Sequence, residues 1–213
     1  MTASEGTTAV TEPGRTVALI LAAGAASRFG SPKALALLDG RPLLQHVLDV
    51  AAGLGLGRSV LVLGHAADPI ARTVDPRGAE VVRNPDPDEG LASSLRVGLA
   101  AVADRHPPAE AILVLLGDQP FVRPAVVRCL LDATVPPGRS IVVPGYAAGG
   151  GPNPALLLRP SWPLAAGLSG DRGMGPVIAA HPALVVTVPV EGDNPDVDVP
   201  DDLARLAGRA IPR

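Results

Sequence analysis

Continuous apolar runs alternate with helix-like segments along most of this 213-residue chain. Such runs are typical of strands that are buried on both faces of a parallel sheet. The sequence places them at residues 16–21, 59–63, 80–82, 111–116, 140–143 and 184–188. A further candidate strand lies at residues 155–158, and an antiparallel direction is left open for it.

Apolar residues at helical spacing predict five helices between and after these strands. The first is expected to begin at Pro42, because proline suits the first residue of a helix, and its apolar positions 43, 44, 47, 48, 51 and 54 fall on one stripe. The other helices are expected at residues 91–103, 124–133, 173–181 and 200–209.

The alternation of strands and helices predicts an α/β fold with a mainly parallel sheet. We expect a single domain at residues 16–213 after a disordered polar tail at residues 1–15. The Gly- and Pro-rich stretch at residues 144–175 is expected to be a functional excursion over the sheet rather than a second domain.

The aromatic content, the net charge and the number of cysteines exclude or disfavour several classes of function. Only four residues are aromatic and the formal net charge is -3, so nucleic-acid binding through base stacking or a basic patch is disfavoured. A single cysteine, Cys129, excludes an internal disulfide and a multi-cysteine zinc site, and its neighbours indicate a helix-core residue. The sequence has no signal peptide and no apolar run of transmembrane length, so we expect a cytoplasmic protein without membrane contact.

The loop after the first strand has the chemistry of a phosphate site. In open α/β sheets, ligands bind beyond the carboxyl ends of the strands. Small residues let the backbone approach a ligand there, and Arg28 and Lys33 add the positive charge that a triphosphate needs. The spacing of Gly24, Gly30 and Lys33 fits neither the dinucleotide fingerprint nor the P-loop, so a Rossmann NAD site and a Walker A site are not indicated.

Two acidic positions suit a metal ion. Asp118 directly follows the strand at 111–116, and a carboxylate at the end of a buried strand is a rigid, hard-oxygen ligand. Asp198 follows the last strand, and Asp196 points the same way if that segment is extended. Mg²⁺ often takes one or two carboxylates together with phosphate oxygens. Asp201 and Asp202 fall in the first turn of the last helix, where acidic residues complement the helix dipole.

These segments together resemble one family. The pattern L-A-A-G-x-x-x-R-x-G-x-x-K at residues 21–33 is similar to the signature of the MobA-like NTP transferases. The resemblance implies the three-layer, mainly parallel, Rossmann-like sheet of the nucleotide-diphospho-sugar transferases. It also implies a loop that wraps a triphosphate, with Arg28, Lys33 and Asp118 as the catalytic residues. The nucleotide-binding residues that it implies in this loop are Leu21, Ala22, Ala23, Gly24, Arg28, Gly30 and Lys33.

The resemblance extends along nearly the whole chain. G-D-Q-P at residues 117–120 and V-D-V-P-D-D-L at residues 197–203 look like metal motifs of the molybdenum cofactor cytidylyltransferases, which implies Asp118 and Asp198 as Mg²⁺ ligands. Val199 departs from the threonine that is usual there. The segment 84–98 is similar to the subgroup's N…G-[ML]-x-S-S-L-x-x-G pattern. It adds Gly90, Ser93 and Ser94 to the nucleotide-binding residues, although simple helix capping remains an alternative for Ser93.

The Gly- and Pro-rich excursion also resembles subgroup segments. Its turns at residues 149–154 and 168–173 imply Asn153, Asp171 and Arg172 as acceptor-binding residues, with ordinary turns as the alternative. The implied reaction is transfer of CMP from CTP to the phosphate of molybdopterin. The product would be molybdopterin cytosine dinucleotide, with a molybdenum hydroxylase apo-enzyme as a further partner.

Other functions remain open within the same resemblance. An NAD(P)H-dependent oxidoreductase of the nicotine blue type is one, although the sequence has no dinucleotide fingerprint. A non-catalytic carrier of the molybdenum cofactor is another, although a carrier needs no pair of metal-binding carboxylates. A methylerythritol-phosphate cytidylyltransferase is disfavoured, because Ser31-Pro32-Lys33-Ala34 lacks the P-K-Q of those enzymes. G-D-Q-P favours CTP over GTP, since the related guanylyltransferases tend to have G-D-M-P.

Overall fold

A computed structural model describes residues 13–24, 29–106 and 108–210. The strands in these residues are β1 (Thr16–Ala22), β2 (Leu37–Leu38), β3 (Arg41–Pro42), β4 (Arg58–Leu63), β5 (Glu80–Arg83), β6 (Ala111–Leu116), β7 (Ile141–Tyr146), β8 (Ala155–Leu158) and β9 (Val185–Val190). The α-helices are α1 (Leu43–Gly53), α2 (Ala67–Thr73), α3 (Leu91–Arg105), α4 (Pro124–Leu131), α5 (Gly175–Ala180) and α6 (Pro200–Leu206). Short 3-10 helices lie at Pro13–Arg15, Lys33–Leu35, Pro87–Glu89, Arg159–Gly167 and Pro182–Leu184.

The central sheet confirms the predicted α/β class. Its seven strands have the order β5-β4-β1-β6-β8-β7-β9, and β2 and β3 form a separate small hairpin. All neighbouring pairs in the central sheet are parallel except those that involve β8, which is antiparallel to β6 and β7. The candidate strand at 155–158 is therefore present, and it takes the antiparallel direction.

The inner strands β1, β6 and β8 are apolar almost throughout because both of their faces are buried. Along β1, Leu19 belongs to a core cluster that also contains residues of α3, α5 and the 3-10 helix at Arg159–Gly167. Its neighbour Ile20 belongs to a second cluster, which contains residues of α1, α2 and α4. Successive strand residues point to opposite faces, so a buried parallel strand needs apolar residues at every position. The result is the three-layer arrangement that the resemblance implied.

Several details differ from the sequence-based expectations. Pro42 ends β3 and caps α1 instead of opening it, because it pairs with Leu37 in the small hairpin. Cys129 is exposed, so its assignment to the helix core was wrong: α4 buries Val126, Val127 and Leu130, and Cys129 falls outside that stripe.

The N-terminal end of the chain was also predicted only in part. Residues 13–15, assigned to the polar tail, form a 3-10 helix in which Arg15 pairs with Glu110 (2.7 Å). Residues 1–12 lie outside the described part of the chain, and the single domain at 16–213 stays a prediction. Within the described residues, no helix is both long enough and apolar enough to cross a membrane.

Candidate active site

A cavity of about 180 Å³ opens where β1, β4 and β6 end. The parallel direction of these strands brings their carboxyl ends to one edge, so the loops that follow them meet there. Six of the predicted site residues line this cavity: Leu21, Ala22, Ala23, Gly24, Lys33 and Asp118. Pro32, Ala34, Gly64, Ala66, Ile70, Leu91, Leu116 and Gly117 complete the lining. Gly64 follows β4 directly, and its position after an apolar run was the signal that could have identified it.

Lys33 joins the two predicted metal-binding carboxylates. Its Nζ lies 2.7 Å from Oδ2 of Asp118 and 3.0 Å from Oδ1 of Asp198. The short 3-10 helix at Lys33–Leu35 places the lysine opposite the end of β6, while Asp198 arrives from the segment after β9. Lys33 is also the only lysine in the sequence. Three charged groups that are far apart in the chain thus converge beside the cavity.

The charges around Lys33 stabilise its ammonium form. Burial lowers the pKa of Lys33, but the carboxylates of Asp118 and Asp198 outweigh that effect and hold its pKa above the usual value. The Lys33 side chain is 19% exposed and that of Asp118 is 32% exposed, so water screens this contact less than it would a surface pair. The site therefore carries a fixed positive charge at the position where a phosphate would approach.

The same two carboxylates fit a divalent metal. They already approach one cationic atom, the Nζ of Lys33, to within 3.0 Å. One or two carboxylates, with phosphate oxygens as further ligands, are the usual protein contribution to a Mg²⁺ site beside a nucleotide. Within the described residues, no group of three or more His, Cys, Asp or Glu side chains is arranged to hold a metal alone. This donor set thus suits a metal that is shared with a ligand.

The segment at residues 84–98, predicted to bind the nucleotide, forms side-chain hydrogen bonds within itself. The side chain of Asn84 donates to Oγ of Ser93 (2.6 Å) and to Oγ of Ser94 (3.0 Å), and the Ser93 hydroxyl donates to the carbonyl of Asp86 (2.7 Å). Both serines are buried. Their hydroxyls hold the loop at residues 84–90 on the start of α3, whereas Leu91 is the residue of this segment that lines the cavity.

Gly90 joins this loop to the Gly- and Pro-rich excursion. It has φ +88°, and a Cβ there would lie only 2.4 Å from the backbone carbon of Gly170. The amide of Ala92 donates to the carbonyl of Gly170 (3.1 Å). Gly90 therefore allows the turn that contains Asp171 to pack on the start of α3, and a larger residue would separate them.

The other predicted residues that the structure describes lie outside the cavity lining. The carbonyl of Asn153 accepts hydrogen bonds from the hydroxyl of Tyr146 (3.0 Å) and from the Asn194 side chain (3.4 Å). Asp171 and Arg172 are exposed on the turn beside Gly90. Gly30 adopts φ +64° at the far end of the phosphate loop. Arg28 lies outside the described residues.

Comparison with known proteins identifies the family. The model of the MobA-like NTP transferase domain matches residues 18–185, which is most of the chain. The chain belongs to the MobA-like NTP transferase family. This membership agrees with the resemblance in its phosphate loop, and the matched residues include β4, β6 and the end of β1 that borders the cavity.

Solved structures that are similar to this chain include two of one mycobacterial protein. The Rv0371c protein of Mycobacterium tuberculosis H37Rv is 37% identical, with a TM-score of 0.80, and the match covers 90% of this chain and 96% of that chain. A structure of Rv0371c in complex with manganese gives 35% identity and a TM-score of 0.78, and the match covers 92% of this chain and 100% of that chain.

Curated relatives match a shorter part of this MobA-like chain. The bifunctional protein GlmU of Desulfitobacterium hafniense (strain Y51) is 39% identical over 116 residues, which are 54% of this chain and 24% of GlmU. The chain thus spans about a quarter of the length of the curated relatives that it matches. The similarity therefore concerns one part of those larger proteins.

The sequence of this MobA-like protein did not predict a polar network that lies beside Asp118. Gln119 is buried, and its Nε2 donates to Oδ1 of Asp196 (2.7 Å) while its Oε1 accepts from the side chain of Asn194 (3.0 Å). Burial raises the pKa of Asp196, and the nearby carboxylates of Asp118 and Asp198 raise it further, against the opposing effect of the Gln119 hydrogen bond. Asp196 therefore lies near enough to the carboxylates of Asp118 and Asp198 to be affected by their charge. Only the fold brings these residues together.

The unusual Val199 changes how α6 begins. One carboxylate oxygen of Asp202 contacts the backbone before the helix, since its Oδ2 accepts from the amides of Asp198 (2.8 Å) and Val199 (3.0 Å). These bonds and the ion pair with Arg205 lower the pKa of Asp202 to about 2, with Arg205 making the largest contribution. Valine has no side-chain acceptor, so the amide of Asp202 bonds to the Val199 carbonyl instead (3.0 Å). Asp202 thus holds the backbone of Asp198 in place.

Proposed function

We propose that the chain is a nucleotidyltransferase that moves a nucleoside monophosphate from an NTP to a phosphorylated acceptor. The observation that carries the proposal is the contact of Lys33 with both Asp118 and Asp198 beside a cavity lined by Leu21–Gly24. Neutralising and orienting phosphates is the main catalytic task in phosphoryl transfer, and it requires fixed positive charge and metal-binding carboxylates. This site supplies both.

We propose CTP as the nucleotide and the phosphate of molybdopterin as the acceptor. The support lies in the sequence A-A-G at residues 22–24 and G-D-Q-P at residues 117–120, which resemble the CTP-using members of the family. The product would be molybdopterin cytosine dinucleotide, and a molybdenum hydroxylase apo-enzyme would be its recipient. The reaction would take place in the cytoplasm, where CTP is available.

The proposed chemistry is an in-line attack of the acceptor phosphate on the α-phosphorus of CTP, with pyrophosphate as the leaving group. The attacking phosphate is already an anion at neutral pH, so the site needs no strong general base. Lys33, together with Arg28, would stabilise the charge on the departing pyrophosphate. Asp118 and Asp198 would hold Mg²⁺, which supplies charge neutralisation when bound. The relative solved with manganese supports a divalent metal in this family.

The test is a product assay with purified protein. CTP, GTP and ATP are each incubated with Mg²⁺ and Mo-bound molybdopterin, and pyrophosphate release and dinucleotide formation are followed by mass spectrometry. We expect CTP to give the cytosine dinucleotide, and Asp118→Ala to be folded but nearly inactive. Loss of one such charged contact commonly lowers a rate by on the order of 10²–10³.

The other outcomes separate the alternatives. Preferential formation of the guanine dinucleotide would keep the reaction type but replace the nucleotide. Normal turnover by Asp118→Ala would refute the metal assignment. Binding of molybdopterin without turnover of any NTP would favour a carrier. NADPH oxidation without NTP turnover would favour the oxidoreductase.

A further inference from the structure

Two buried amides connect three parts of the site. Gln119 follows Asp118 in the loop after β6, Asn194 lies in the segment after β9, and Asn153 belongs to the excursion between β7 and β8. The Asn194 side chain donates to Oε1 of Gln119 (3.0 Å) and to the carbonyl of Asn153 (3.4 Å). Gln119 in turn donates to Oδ1 of Asp196 (2.7 Å). We name Gln119 and Asn194 the amide pair.

The direction of these hydrogen bonds is set by the backbone carbonyl of Asn153. A carbonyl oxygen only accepts, so Asn194 presents its amide nitrogen to Asn153. Gln119 turns its oxygen to that same nitrogen and its own nitrogen to Asp196. Asn194 thus uses its nitrogen for both contacts. Its Oδ1 therefore faces away from the chain of bonds, and within the described residues it is a buried side-chain oxygen without a hydrogen-bond partner.

An unpaired buried carbonyl is unfavourable for folding. The hydrogen bond within the amide pair adds little stability, because exchanging both partners of a buried hydrogen bond for apolar groups is often neutral or stabilising. The donation from Gln119 to the Asp196 carboxylate is a separate contribution, which apolar side chains would remove. Stability thus explains a donor at residue 119 but gives no reason for the amide at residue 194. The location of the amide pair beside Asp118 suggests another reason.

The amide pair borders both proposed metal ligands. Gln119 is the direct neighbour of Asp118, and its partners Asn194 and Asp196 precede Asp198 in one segment. The amide of Val197 also donates to the carbonyl of Asp118 (3.1 Å), so the two segments are joined at adjacent points. A shift of the amide pair would therefore change the separation of the Asp118 and Asp198 carboxylates.

We propose that Gln119 and Asn194 are positioning residues that set the separation of Asp118 and Asp198, and that they couple it to the excursion at Asn153. This assignment rests on the proposed function for the role of the metal, but the separation itself is independent of it. Groups that orient metal ligands in this way commonly change metal affinity or activity by about 10–100-fold when they are removed.

The test uses the double variant Gln119→Leu/Asn194→Leu, which removes the hydrogen bonds of the amide pair without adding charge. Three quantities are measured in the full chain: the melting temperature, the affinity for Mn²⁺ in the presence of CTP by electron paramagnetic resonance, and the acetylation rate of Lys33 without ligand. Lys33 is the single lysine, so mass spectrometry can follow its labelling individually. Its rate reports on the contacts of Nζ with both carboxylates.

We expect a slightly lower melting temperature, because the Asp196 carboxylate loses the Gln119 donor, together with acetylation of Lys33 that is several-fold faster and Mn²⁺ affinity lower by about 10–100-fold. The single variant Asn194→Leu should change Lys33 labelling in the same direction, and it serves as the test if the double variant does not fold. Ser161→Ala is the matched control, because it removes buried hydrogen bonds to Ser140 and Leu158 in another part of the fold. It should leave Lys33 labelling and Mn²⁺ affinity unchanged.

A lower melting temperature with unchanged Lys33 labelling would overturn the proposal, since it would show that the amide pair only stabilises the fold. Unchanged values of all three quantities would overturn it as well. If the wild type turns over no NTP, the proposed function fails. The Lys33 labelling rate then still decides whether the amide pair positions the carboxylates.

Discussion

Two buried asparagines, Asn84 and Asn194, occupy comparable positions but have different surroundings. Each is 5% exposed, and each follows a strand of the central sheet. Asn84 donates to Ser93 and Ser94, and its Oδ1 accepts from the amide of Asp86 (3.0 Å). Asn194 donates to Gln119 and to the Asn153 carbonyl, but its Oδ1 has no partner among the residues that the structure describes.

The difference follows from the partners that each amide has. Hydroxyls can both donate and accept, so the serines around Asn84 adapt to it and every group is satisfied. Asn194 faces two accepting oxygens, Oε1 of Gln119 and the carbonyl of Asn153, so both contacts use its nitrogen and its own oxygen is left over. The first region is therefore arranged for stability, and the second retains an unfavourable group next to the proposed catalytic charges.

The largest effect should come from the charge that the second region surrounds. Lys33→Met removes the ammonium that contacts Asp118 and Asp198, and we expect NTP turnover to fall by on the order of 10²–10³ with the fold retained. Steady-state kinetics and circular dichroism measure the two properties. Arg83→Met, which removes an exposed ion pair with Asp68, should leave turnover unchanged. Equal losses in both variants would show that Lys33 has no special role.

In the region around Asn84, we expect the free energy of unfolding to be most sensitive to substitution of Gly90. Gly90→Ala places a Cβ 2.4 Å from the Gly170 backbone at a positive φ, so we expect the free energy of unfolding to fall by roughly 2–4 kcal/mol. Denaturant titration measures this change. Gly149→Ala is the control, because Gly149 also has a positive φ (+83°) but has no atom within 4 Å of an added Cβ. A similar loss in both variants would mean that the Gly170 contact contributes nothing.

Substitution of each asparagine tests directly whether the two contribute differently to stability. Asn84→Ala removes three hydrogen bonds and takes the amide donor away from the buried hydroxyls of Ser93 and Ser94, so it should lower the free energy of unfolding by about 2–3 kcal/mol. Asn194→Leu removes an amide whose oxygen is already unpaired, and its cost should be clearly smaller. Equilibrium unfolding of both variants measures the difference. Equal costs would contradict the proposed division between a stabilising and a positioning cluster.

The smallest effect concerns the start of α6. Val199→Thr would provide a hydroxyl that can accept from the amide of Asp202, which now bonds to the Val199 carbonyl. We expect the free energy of unfolding to rise by up to about 1 kcal/mol, as for other helix N-caps. Thermal unfolding measures the gain, and Val186→Thr in β9 is the comparison, because it adds a hydroxyl without an N-cap position. A loss of stability at residue 199 would show that the backbone before α6 does not accommodate the new bond.

The sequence predicted features that depend on local pattern. Continuous apolar runs identified the strands of the central sheet, because burial on both faces requires apolar residues throughout. The positions of Lys33 and Asp118 beside the cavity followed from the rule that loops at the carboxyl ends of strands meet. The contact between Lys33 and Asp198 links residues 165 positions apart, so it emerged only from the fold.

Features that depend on tertiary partners were not predictable. The inward direction of the Ser93 hydroxyl depends on Asn84 and Asp86, whereas its sequence position favoured either a nucleotide contact or a cap. The amide pair has no periodic signal, since Gln119 and Asn194 meet only when the segment after β9 packs on the loop after β6. The hairpin of β2 and β3 is too short to give an alternating pattern.

The most direct test of the nucleotide site is the protection of Lys33 from acetylation. Because Lys33 is the only lysine, the modified fraction can be measured by peptide mass spectrometry with CTP and Mg²⁺ present or absent. We expect saturating CTP with Mg²⁺ to slow the labelling by about tenfold or more, CTP without the metal to protect less, and Asp118→Asn to lose the metal-dependent part. Labelling at the same rate with and without CTP and Mg²⁺ would contradict the assignment of this cavity as the site of nucleotidyl transfer.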